Sequence, residues 1–96
     1  MQIHLEGHHC EISQTMRTTV ERLAERLPRY HDRVSDLNIT VTKEGPNHDA
    51  HATVKVVDRT LAAREKAIEA KEALKGVMDK LIRQVKDYNA KLKGHK

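Results

Sequence analysis

Apolar and polar residues alternate at three places along the chain and recur at helical spacing at two others. Ile3 and Leu5 alternate with Gln2, His4 and Glu6, which predicts a short strand ended by Gly7. Ser13 is placed to cap a helix, because its hydroxyl can accept from an orphan backbone N–H. From there Met16, Val20, Leu23 and Leu27 recur at spacings of 4, 3 and 4 and form one apolar helix face. Pro28 is expected to end that helix, which frays through Arg29 and Tyr30. Leu37, Ile39 and Val41 alternate with Asn38, Thr40 and Thr42, a second strand. Glu44 to Asp49 reads as a turn or loop, and Ala52, Val54 and Val56 mark a third strand, antiparallel to the second.

The longest signal is C-terminal. Ala63, Ala67, Ala70, Leu74, Val77, Leu81, Val85, Tyr88 and Leu92 follow one another at spacings of three or four, and Gly94 stops the pattern. Residues 58–68 carry two readings. The run Ala62-Ala63-Arg64-Glu65-Lys66-Ala67 has helix propensity, with Asp58 as its cap, and three strands with two helices would then suffice.

Composition restricts what these elements can build. The 96 residues suit one domain spanning the whole chain, 1–96. Leu, Ile and Val supply 21 residues and Phe none, just above the level of about 20% below which a core fails. The core must therefore be aliphatic and thin. One Cys forbids an internal disulfide. No apolar run reaches the ~18 residues of a membrane span, and the start lacks a basic, long-apolar leader. The expected compartment is the cytoplasm, with no membrane partner. With two Tyr and no Phe or Trp, binding by aromatic base-stacking platforms is disfavoured.

Charge is uneven. Residues 1–60 hold 8 basic and 9 acidic side chains, whereas residues 61–96 hold 10 and 5. On the first helix Arg22, Arg26, Arg29 and Arg33 recur at spacings of 4, 3 and 4. On the last, Lys75, Arg83, Lys86 and Lys93 fall within about an 80° arc at ~100° per residue, and Lys80 and Lys91 lie on the opposite flank of the apolar stripe. Such stripes are ordinarily solvated faces, and Glu21, Glu25, Asp79 and Asp87 can neutralise parts of them. The sharper reading is a phosphate-binding surface of two helices on one sheet, recognising RNA backbone and shape.

Enzymatic chemistry finds little support. His8, His9 and Cys10 are adjacent and His48 and His51 lie three apart, but a metal centre needs three or four ligands at productive spacing. No base or oxyanion arrangement marks Cys10 as a nucleophile. Neither Gly-rich phosphate loops nor paired catalytic carboxylates occur. The reading is therefore a non-enzymatic protein with no cofactor, no metal and no small-molecule substrate.

The segments Met1-Gln2-Ile3 with Gly7, Glu11-Ile12-Ser13 opening a helix that carries Arg17, Tyr30-His31-Asp32-Arg33, Ala52-Thr53-Val54, and Met78 to Val85 followed by Lys91-Leu92-Lys93 together resemble the ribosome hibernation promoting factor family. That family includes the ribosome-associated translation inhibitor and the sigma-54 modulation proteins, and this chain resembles its short form. The resemblance implies an α+β fold of order β-α-β-β-β-α, similar to double-stranded-RNA-binding domains, with two helices on one face of a four-stranded sheet. It implies a fourth strand near 60–66, against the propensity there, with Asp58-Arg59 as the hairpin turn. The family often has Gly in that turn, and this chain has none. It also implies binding to ribosomal RNA of the decoding region of the small ribosomal subunit. There such proteins block the messenger and transfer-RNA channel and leave ribosomes stored, with a separate ribosome-dimerising factor as a possible further partner.

Arg17, Arg26, Arg33, Lys80, Arg83, Lys91 and Lys93 stand where the family has basic residues, and Arg22, Arg29, Lys75 and Lys86 join them on the stripe argument alone. At the start of the last helix the family's acidic-aromatic-Ala-Ala-Ile-Asp stretch is replaced by Glu69 to Lys75, without the aromatic. The alternative function is a structured-RNA-binding module with another target.

Overall fold

A computed structural model of the chain describes residues 1–30, 33–57 and 59–94, with side chains except those of Tyr30 and residues 89–94. The elements are β1 (Ile3–His8), α1 (Gln14–Ala24), α2 (Leu27–Tyr30), β2 (Val34–Glu44), β3 (Asn47–Val56), β4 (Arg59–Ala67) and α3 (Ala70–Gly94). They form the expected α+β arrangement. The sheet order is β1-β2-β3-β4, with β1 parallel to β2 and the other pairs antiparallel.

Residues 59–67 are a strand, so tertiary pairing overrides helix propensity there. Each residue of that run gains only a few tenths of a kcal/mol from helix preference. Against this stand nine cross-strand partners, from His48 with Ala67 to Val56 with Arg59. Ala63 and Ala67 therefore belong to β4, not to the last helix. The hairpin connection is residues 57–58, so Arg59 is the first strand residue and not a turn residue. Asp58 itself, read above as a helix cap or a turn residue, lies outside the described residues.

Three other boundaries differ from the sequence expectation. The first strand runs through Gly7 to His8, and Gly is needed there because a Cβ would meet the Cys10 carbonyl oxygen at 2.5 Å. The loop at 44–49 shrinks to Gly45-Pro46, with Glu44 paired to Asn47 and Gly45 at a φ of 58°. The first helix stops at Ala24, before Pro28, and Pro28 sits in the separate single turn α2. Proline is tolerated in a first turn because its missing N–H has no partner to lose.

Across the sheet, Leu5, Ile39, Ala52 and Ala63 form one continuous inward row. Alanines at 50, 52 and 63 keep the floor low where α3 crosses β3 and β4. Leu74, Val77, Met78, Leu81 and Val85 of α3 are fully buried against it, as are Val20 and Leu27 from the other helical segments. Each such aliphatic side chain contributes about 1.5–3 kcal/mol. Among the described residues, the buried core is made of aliphatic side chains and methionines, as composition required.

Candidate nucleic-acid interface

Ser13 caps α1 as expected: Met16 N–H donates to Ser13 Oγ at 3.1 Å, and Met16 Sδ accepts from Ser13 N–H at 3.5 Å. The helix buries Met16, Thr19, Val20 and Ala24. Beyond Ala24 the backbone tightens. Arg26 N–H donates to the Leu23 carbonyl at 3.1 Å and Arg29 N–H to the Arg26 carbonyl at 3.2 Å, three residues back rather than four. This tighter winding carries Leu27 into the core and leaves Arg26 facing α3.

Opposite it, α3 contributes Asp79, Ile82, Arg83, Lys86 and Asp87 to a groove whose other wall is Arg26. Ile82 is nearly buried there, and Arg83 and Lys86 are exposed beside it. Three cations and two carboxylates thus share one concavity between α3 and the tight connection that follows α1. The carboxylates lower the local charge to a net of one positive. Arg22, Arg29 and Lys75 are exposed on the same helical segments and extend the positive character.

The remaining predicted residues are placed differently. Arg17 lies on the other flank of α1 and lines a concavity with Ile3 to Glu6 of β1 and Asn38 to Thr40 of β2. Lys80 lies on the β4 flank of α3, where Nζ donates to the Arg64 carbonyl and to Glu65 Oε1, both at 3.0 Å. It acts there as a structural tie between helix and strand. Arg33 stands just before β2, and its carbonyl accepts from Val57 N–H at 3.2 Å. The side chains of Lys91 and Lys93 lie outside the described residues.

Sequence reasoning missed Arg59. Its guanidinium carbon lies 5.8 Å from the centre of the Tyr88 ring, within cation–π range. The two are far apart in the chain, so no local spacing could announce the contact.

The histidine-rich segments are dispersed. His8 Nε2 lies 3.2 Å from Glu6 Oε2 on the helix-free sheet face, whereas His48 Nδ1 lies 2.7 Å from the Ile68 carbonyl. Cys10 Sγ donates to the Val41 carbonyl at 3.5 Å. Among the described residues no three His, Cys, Asp or Glu side chains are grouped to hold a metal ion. No described helix is long and apolar enough to cross a membrane.

A family model described as "Sigma 54 modulation protein / S30EA ribosomal protein" matches residues 3–93. The ribosome hibernation promoting factor of Escherichia coli K12 is 30% identical over 95 residues, covering 99% of this chain and 100% of that protein. The factor of the same name from Azotobacter vinelandii is 28% identical over 85 residues, covering 88% of this chain and 79% of that one. Among solved structures, the N-terminal domain of Thermus thermophilus Protein Y superposes with a TM-score of 0.82 at 27% identity, covering 92% of this chain and 99% of that one. A ribosomal subunit interface protein from Coxiella burnetii gives 0.79 at 25% identity, covering 94% and 99%.

Proposed function

The chain belongs to the Sigma 54 modulation protein / S30EA ribosomal protein family, and on that premise we propose that it is a ribosome hibernation factor that represses translation by binding, without catalysis. Its partner is the small ribosomal subunit, in the cytoplasm. The contact is made with ribosomal RNA through the groove between α3 and the α1–α2 connection and the exposed basic residues beside it. The observation that carries this reading is the convergence of Arg26, Arg83 and Lys86 on one groove, in a chain that spans the full length of a ribosome hibernation promoting factor.

Guanidinium forks and the ammonium suit phosphate oxygens. Asp79 and Asp87 keep the groove from attracting anions indiscriminately and favour a ligand whose phosphates match the cation positions. Repression follows from volume. A folded domain seated in the messenger and transfer-RNA channel excludes both, and no bond need be made or broken. Most of the affinity comes from counterion release, so binding weakens steeply with added salt.

Co-sedimentation with purified small subunits tests the proposal. Wild-type protein pellets with the subunits and is displaced by transfer RNA. The double reversal Arg83→Glu, Lys86→Glu abolishes pelleting at a salt concentration where Glu44→Lys has little effect. Equal effects of the two changes would refute the groove as the binding surface, and co-pelleting unaffected by transfer RNA would place the protein elsewhere on the subunit.

A further inference from the structure

The tip of the β3–β4 hairpin brings together residues that the sequence keeps far apart. Val56 pairs with Arg59, so the connection between the strands is two residues long. Val57, the first of these, has a φ of 61°, a left-handed conformation that a β-branched residue seldom adopts. Its N–H donates to the Arg33 carbonyl, which ties the tip to the start of β2. Arg59, opposite the buried Val56, projects to the helix side of the sheet and extends over the Tyr88 ring of α3 at 5.8 Å. Arg59 is exposed, Tyr88 is half-buried, and Val57 adds an apolar surface that is 41% exposed.

We propose that Arg59, supported by Tyr88, is a stacking platform for a single unpaired RNA base. The proposal rests on the RNA-binding reading above and adds a base-recognising element to a surface otherwise suited to phosphates. A guanidinium is planar and its faces are weakly hydrated, so it stacks on an aromatic ring and equally on a nucleobase. The ring beneath restricts the rotamers open to Arg59, which leaves less side-chain freedom to lose on binding. Composition argued against aromatic platforms, and a guanidinium backed by the Tyr88 ring supplies the same flat surface by other means. Bases in a duplex have no free face to offer, so the ligand is a single-stranded or bulged nucleotide.

The test compares two fluorescein-labelled RNA oligomers of equal length and charge, one unstructured with normal bases and one in which the central nucleotides are abasic. Fluorescence anisotropy at fixed salt is read for wild type, Arg59→Lys and Arg59→Ala. Arg59→Lys, which keeps the charge and loses the plane, should weaken binding of the base-bearing oligomer roughly tenfold, the scale expected for losing one stacked base. Binding of the abasic oligomer by Arg59→Lys should equal that of wild type. Tyr88→Phe, which keeps the ring, should bind like wild type.

If Arg59→Lys matches wild type on both oligomers, or if it weakens both alike, the inference is overturned. Small-subunit co-sedimentation of the same proteins separates the two proposals. Pelleting retained while discrimination between oligomers is absent removes the stacking platform alone. Wild type that neither pellets nor binds either oligomer removes both readings. Arg59 is solvent-exposed, so its lysine variant should fold, and a thermal melt checks this.

Discussion

Gln84 Nε2 donates to the carbonyl oxygen of Ala62 at 2.6 Å. One helical turn earlier, Lys80 makes the equivalent bond to the carbonyl of Arg64. β4 is an edge strand, and carbonyls directed away from β3 would otherwise have only water or another chain to bond. The last helix thus covers the edge it packs beside, using the flank opposite its basic groove.

That arrangement predicts the effect of Gln84→Leu. The carbonyl of Ala62 loses its donor, and the cost should be about 1 kcal/mol. Urea unfolding should show the lowered stability, and amide exchange should be faster in β4 than in β2. Small-subunit binding should be unchanged, because Gln84 is not part of the groove. Unchanged exchange in β4 would show that the bond does not hold the edge.

Val57 offers an opposite case. Its left-handed backbone is strained by roughly 1–2 kcal/mol for a residue with a Cβ. Val57→Gly removes that strain but loosens the unfolded chain, and Val57→Asn keeps most of the chain stiffness while tolerating the conformation. Both should raise the thermal midpoint, Asn by at least as much as Gly. A fall in the midpoint for both would mean that the valine side chain contributes more at the tip than its backbone costs.

Gly7→Ala should be among the most damaging small changes. The added methyl would lie 2.5 Å from the Cys10 carbonyl oxygen and 3.3 Å from the Ile12 side chain. Backbone cannot yield as a flexible side chain can, so the loop between β1 and α1 must shift. A loss of about 1–3 kcal/mol is expected in chemical denaturation. A neutral result would show that this loop moves freely.

The groove assignment makes unequal demands on the basic residues. Arg26→Ala should weaken small-subunit binding and reduce the salt slope by about one. Lys80→Ala should change the slope little, because its ammonium is engaged by Glu65 and the Arg64 carbonyl. Binding isotherms at several salt concentrations distinguish the two, and equal slopes for both variants would show that Arg26 and Lys80 do not differ in their contact with RNA.

Periodicity in the chain determined a great deal unaided. The alternation at 37–41 and 52–56, the Ser13 cap, and the repeat from Leu74 to Val85 each describe a local relation between neighbours, and local relations survive without a tertiary frame. The resemblance supplied the fourth strand, where the run Ala62 to Ala67 reads as helix when taken alone. Only pairing along β3 resolves it, because the ladder partners of Ala62 to Ala67 lie 9 to 19 residues away in the chain. The basic stripes show the same division. Helical spacing located the cations on faces, but it could not tell that Arg26 and Arg83 share a groove while Lys80 faces β4 and Arg17 faces β1. Which flank of a helix meets a neighbour depends on how the layers cross, and that is decided by packing between residues distant in sequence. The placement of Arg59 over Tyr88 belongs wholly to that second kind of information.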